Sequence, residues 1–182
     1  MGEENKRIAI LISVLALFLA IAEVLGKSAQ TELLNHNIEA SNLWSFYQAK
    51  TLRQTVLKTA SEQLEIDAAL TKDPAVKQLL DTRIKSWKDE VARYQSEPKP
   101  EGGEGRKELS ERAIKEAKIR DLYAAKYHNF EFASSAFQIA MVLASAFLIT
   151  GVIYLLWGAF ALGGFGVMFL LLGQFVPNLL HL

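Results

Sequence analysis

Apolar positions fall in three long blocks and polar positions in one. The first block, Ile8 to Leu25, contains eighteen residues with Ser13 and Glu23 as its only polar members. A helix of that length rises about 27 Å, close to the ~30 Å hydrocarbon core of a bilayer. The second, Phe132 to Trp157, has no formal charge, and the third covers 158–182 with Gln174 and Asn178 near its end. This pattern predicts transmembrane helices at 8–25, 132–157 and 158–182, with a short tail, 1–7, before the first. Residues 26–131 form the polar block, and 18 of the 20 Lys and Arg lie between Lys27 and Lys126.

Inside the polar block the pattern becomes periodic. From Lys27 to about Thr71 there is no Gly or Pro, and Leu34, Ile38, Ala49, Leu52, Val56, Ala60 and Leu64 recur at helical spacing. Only Gly26 stands between this stretch and the first apolar block, so a single helix is expected to leave the membrane and continue as a stalk. Lys72-Asp73-Pro74 then ends it and starts another, with Asp73 as N-cap and Pro74 at the first helical position. In that second helix Leu80, Ile84, Trp87, Val91 and Tyr94 follow steps of four, three, four and three, a coiled-coil seam. Pro98 to Gly105 cannot hold regular structure and predicts a mobile tip, 97–107. A charged helix resumes near Glu108 and carries Ala113, Ile114, Ala117 and Ala124 towards the second apolar block. The expected fold is all-α: an integral membrane protein with three transmembrane helices and a protruding helical-hairpin, coiled-coil-like domain.

Bulk composition obscures this picture. A mean hydropathy of +0.14 with 22% charged residues averages two different solvents into one value. The net charge of zero gives no sign of nucleic-acid binding, and with no cysteine there is neither a disulfide nor a thiolate metal site. Lys6 and Arg7 before an apolar run also fit a secretory signal. The segment Glu23 to Lys27, however, is a poor small-x-small cleavage site, which favours an uncleaved anchor.

Candidate chemistry is sparse. Gly26-Lys27-Ser28 resembles the end of a phosphate loop, but the position that needs glycine is Ile21, inside an apolar helix. Glu32, His36 and Glu39 share a helical face, as do His128 and Glu131; such spacing arises readily in charged helices and reads as solvated surface. No Ser-His-Asp set is credible, so the expectation is a non-enzymatic protein without cofactor or metal. Glu23, in the last turn of the first apolar segment, is expected either to reach the membrane edge or to join a polar cluster with Lys27, Ser134, Ser135 and Gln138. Small residues form stripes at Ala9, Ser13, Ala16 and Ala20, and at Ala133, Ala136, Ala140, Ala144 and Gly151. Close helix approach along Ser13, Ala16, Ala20, Ala136, Ala140, Ala144 and Gly151 serves packing within a subunit or self-association.

The runs Gly26-Lys27-Ser28-Ala29-Gln30-Thr31 and Ile38-Glu39-Ala40-Ser41-Asn42-Leu43-Trp44-Ser45-Phe46-Tyr47-Gln48-Ala49-Lys50 resemble the signature of the bacterial domain-of-unknown-function 4337 family, uncharacterised membrane proteins. The layout of one N-terminal apolar helix, a charged helical middle and a C-terminal apolar hairpin extends the resemblance over most of the chain. It implies no activity. The signature residues Ser41, Asn42, Trp44, Phe46, Tyr47, Gln48 and Lys50 therefore read as packing positions. On a straight helix Trp44 lies about 27 Å past Gly26, beyond an interfacial aromatic belt, and is expected against another helix of the subunit or of an oligomer; a bend at Gly26 would instead lay the same aromatics among lipid headgroups. Lys27, Arg112, Lys115, Lys118, Arg120 and Lys126 on the domain side favour a cytoplasmic domain, whereas the basic N-terminal flank, Lys6 and Arg7, with what the resemblance implies, favours the expected topology: N-terminus in the cytoplasm and helical domain outside a bacterial inner membrane.

The functional expectation is a membrane-anchored structural or interaction scaffold whose partners are the lipid bilayer and further copies of itself in a homo-oligomer. Alternatives are a channel or transporter subunit with Glu23 on a polar path, which the apolar run Ile139 to Phe147 weakens, and a membrane sensor with an exposed ligand-binding helical domain.

Overall fold

A computed structural model describes residues 3–99 and 103–180. They form four helices, α1 (Glu3–Leu70), α2 (Pro74–Gln95), α3 (Arg106–Thr150) and α4 (Ile153–Phe175), followed by a 3-10 turn, Pro177–Leu180. Three of them, α1, α3 and α4, are long and apolar enough to cross a membrane. The chain divides into two units, one of residues 1–36 with 118–182 and the other of residues 37–117.

Two starts and stops follow from local chemistry. Asp73 caps α2, its carboxylate accepting from the backbone N–H of Ala75 (2.8 Å) and Val76 (3.4 Å), with Pro74 as the first helical residue. Helix α1 passes through Gly26 unbroken, because that glycine sits on the Cβ of Phe130 and supplies close approach rather than a bend. The turn between the last two helices departs from expectation. It lies at Gly151, not at residue 158, so the apolar helices end and begin at Thr150 and Ile153. Hydropathy could not mark it, since the turn is as apolar as its flanks. Gly151 has φ of +68°, a left-handed conformation open to glycine, while Gly158 is an interior residue of α4 resting on Leu143.

In the first unit, α1 buries Ile8, Leu15, Ala22 and Ala29, a seven-residue repeat. Leu15 and Ala22 form a core with Ala133, Phe137 and Ala140 of α3, and Phe18 stacks on Phe137 at 5.7 Å. Helix α4 turns its small face inward, burying Ala159, Gly163, Gly166 and Gly173. Side chains fill the notches these glycines leave: an added Cβ at Gly163 would lie 3.1 Å from Leu15, one at Gly166 2.7 Å from the Phe137 ring, and one at Gly173 2.8 Å from that of Phe130. Asn129 secures the C-terminal turn, donating to Pro177 O at 3.0 Å and Ala125 O at 2.9 Å.

The second unit packs around Leu43, Leu109 and Ala113, with Tyr47 against them. Ala40 and Ala68 are also buried on α1. Leu80, Ile84, Trp87, Val91 and Tyr94 of α2 are its less exposed positions, and Ile84 is buried. Of the apolar α1 positions read from spacing, Leu34, Ile38, Ala49, Leu52 and Val56 are exposed, whereas Ala60 and Leu64 are half-buried and Leu64 lines a groove with Leu80 and Trp87 of α2. Ile114 of α3 is likewise exposed. Both faces of α1 carry apolar residues at three- and four-residue steps, and the in-chain partners take the face that holds Tyr47 and Gln54, which pair, and Ser61, whose buried hydroxyl has no hydrogen-bond partner among the described residues.

Candidate functional site

The polar groups on that inner face of α1 are the first feature with chemistry. Arg106, the first residue of α3, donates to Tyr47 OH at 2.9 Å, to Gln54 Oε1 and to Gln95 Oε1 at 3.3 Å, and its guanidinium lies 4.9 Å above the Tyr47 ring. Gln54 in turn donates to Val91 O at 3.1 Å. One guanidinium thus joins α1, α2 and α3 through charge-assisted bonds and cation–π contact. Neither Arg106 nor Gln54 stands out in the sequence. The signal that could have found Gln54 is the seven-residue repeat Ala40, Tyr47, Gln54, Ser61, Ala68, three polar residues between two alanines along an inward face.

Beside this junction the tip is pinned at its described ends, while residues 100–102 of the expected mobile segment lie outside the described residues. Glu108 accepts from the Ser96 hydroxyl and from the backbone N–H of Glu97 at 3.3 Å. The Ser96 hydrogen bond holds the Glu108 carboxyl below the usual glutamate range. Gly103 and Gly105 are buried because the Glu97 and Ser96 backbone passes too close for any side chain.

A cleft of about 600 Å³ opens in the same unit. Leu43 and Leu109 are its apolar floor, and Phe46 and Tyr94 its aromatic walls. Lys50, Arg53, Arg93, Lys99 and Arg112 line it, against three carboxylates, Glu39, Glu97 and Glu104. The Lys50 side chain is only 12% exposed, with Nζ 4.0 Å from Glu97, 3.9 Å from Glu104 and 5.6 Å from the Tyr94 ring centroid. Lys99 approaches Glu97 at 3.5 Å and Arg112 approaches Glu39 at 3.9 Å.

The signature residues divide around these features. Tyr47 and Lys50 turn inward. Trp44 meets Tyr47 edge-on at 5.4 Å yet remains 38% exposed, and Phe46 is 63% exposed. Ser41, Asn42 and Gln48 are exposed on α1, Asn42 at the cleft rim. Trp44 is thus less enclosed than a fully packed position, because its neighbour Tyr47 takes the place beside Arg106.

In the first unit, Gln138 donates to Glu23 Oε1 at 3.4 Å and to Ser134 Oγ at 3.4 Å. These three residues form the polar cluster on α1 and α3; Lys27 and Ser135 are exposed without a side-chain bond to it. The two small-residue stripes part company. Ala136, Ala140 and Ala144 are buried within the chain, whereas Ser13, Ala16 and Ala20 are exposed and Gly151 forms the turn. His36 stacks on Tyr123 at 5.6 Å and His128 lies 3.6 Å from Glu131. Among the described residues no group of three or more His, Cys, Asp or Glu is placed to hold a metal.

The family model for a domain of unknown function, DUF4337, matches residues 4–176. No curated protein and no solved structure matches the chain.

Proposed function

Because the chain belongs to the DUF4337 family, whose defining domain has no assigned activity, we propose from its geometry that it is a non-enzymatic, membrane-anchored scaffold that assembles with copies of itself through the outer face of α1. Under this reading α1, α3 and α4 cross a bacterial inner membrane. One observation carries it: α1 has two helically spaced faces, and the chain itself uses only one. Ile8, Leu15, Ala22 and Ala29 pack inside, while Ser13, Ala16 and Ala20 in the apolar part and Ile38, Leu52 and Val56 in the charged part remain exposed. Lipid gives helices little reason to associate except close approach, which small residues permit. In water the exposed Leu52 and Val56 supply a hydrophobic incentive that lipid does not.

The test is the subunit number of the full chain in mild detergent, read by native mass measurement and crosslinking. Leu52→Glu with Val56→Glu, or Ala16→Leu with Ala20→Leu, is expected to lower it while leaving the melting temperature of the remaining species nearly unchanged. Ala140→Leu with Ala144→Leu should instead melt the chain itself, since both side chains are buried against its own helices. A wild-type protein that is monomeric at all concentrations sinks the reading.

A further inference from the structure

The cleft of the second unit has no part in self-assembly through α1's outer stripe, and its chemistry is that of a ligand site. Its volume of about 600 Å³ falls in the usual ~300–1,000 Å³ range for small-molecule pockets. Three observations restrict what would fit. Of its five cations Arg93 pairs with Glu90, Lys99 with Glu97 and Arg112 with Glu39, which leaves Lys50 and Arg53 to face an anion. Lys50 is largely withdrawn from solvent, yet its carboxylate neighbours stand at 3.9 and 4.0 Å, beyond hydrogen-bond length. A desolvated ammonium in that position gains most from an oxyanion that approaches to ~2.8 Å. Arg53, exposed at the rim, makes no ion pair with any described residue. The apolar surface on offer is chiefly the ring of Phe46, 63% exposed, since Leu43 and Leu109 beside it are 4% exposed each. A bare inorganic anion would leave this apolar surface unused.

We infer that the cleft formed by α1, α2 and α3 in the second unit binds an anionic amphiphile, a phosphate monoester with an aromatic or acyl body, its head group at Lys50 and Arg53 and its body between Phe46 and Leu43. Lys50 supplies a point charge with three donors and Arg53 a planar fork suited to the same oxyanion. Phe46 covers the body, and for that role its exposure in the free chain is no disadvantage.

The source of the ester, a soluble molecule or a lipid, is separable by experiment. Full-length protein in maltoside micelles is titrated calorimetrically with phenyl phosphate, inorganic phosphate and phenol. Phenyl phosphate is expected to bind at least about tenfold more tightly than either fragment. Lys50→Gln and Arg53→Gln should each weaken it by about five- to tenfold. Phe46→Ala should weaken phenyl phosphate several-fold and leave inorganic phosphate unchanged; because Arg53 and Phe46 are exposed, these two variants keep the test valid if Lys50→Gln fails to fold. Competition by micellar phosphatidic acid identifies a lipid head group as the ligand, and its absence a soluble ester; either supports the site. The inference is overturned if phenyl phosphate does not bind, if inorganic phosphate binds equally well, or if Arg53→Gln and Phe46→Ala bind like the wild type.

Discussion

Three glycines of the C-terminal hairpin look alike in the sequence and do different work. Gly151 needs a positive φ and has open space around its Cα; Gly166 needs the space itself, which Phe137 occupies; Gly164 faces outward with nothing near. Alanine at Gly166 should cost about 1–3 kcal/mol through overpacking against a fully buried ring. Alanine at Gly151 should cost about 1–2 kcal/mol through backbone strain. At Gly164 it should be neutral or stabilise by up to about 1 kcal/mol, since the helix loses its least favourable residue. Thermal melts of the three variants check this order. Asp73 and Pro74 were legible because capping is local chemistry. The glycine roles were not, since they depend on which ring stands opposite.

At the scale of elements, the sequence announces helices far better than it announces their faces. The α2 seam was readable because α2 has one apolar side. Helix α1 has two: of the expected apolar set Leu34, Ile38, Ala49, Leu52 and Val56 face outward and Ala60 and Leu64 are half-buried, while the side with Tyr47, Gln54 and Ser61 packs inward. Polar groups can be inside because each of the larger ones finds a partner, as Gln54 does with Val91 and Arg106. The Ser96–Glu108 bond between the end of α2 and the start of α3 yields a pH prediction. Glu108's carboxyl lies below its ordinary value of 4.5 in the folded chain. Its contribution is therefore complete above that ordinary value and is lost as pH falls through the lowered one. Urea unfolding of Ser96→Ala should show a deficit relative to wild type at neutral pH that narrows progressively below about pH 4.5; a deficit independent of pH would assign Ser96 no role through Glu108.

For the whole molecule, the three apolar helices of one unit and the charged helices of the other were evident from hydropathy blocks, and the position of the last turn was not, because a turn among apolar residues leaves no mark in hydropathy. The absence of cysteine makes orientation directly measurable, since any introduced thiol is unique. With the N-terminus inside, a Lys77→Cys variant in intact cells should react with a membrane-impermeant maleimide, and an Asn5→Cys variant only after lysis; the reverse pattern would put the helical domain in the cytoplasm. The notched face of α4 also limits how this protein can respond to anything it binds. A slip of one turn, about 5.4 Å, would carry a leucine or phenylalanine of α4 to the place where Gly166 or Gly173 now accommodates a phenylalanine ring. Helix α4 therefore has a single seating and cannot act as a piston.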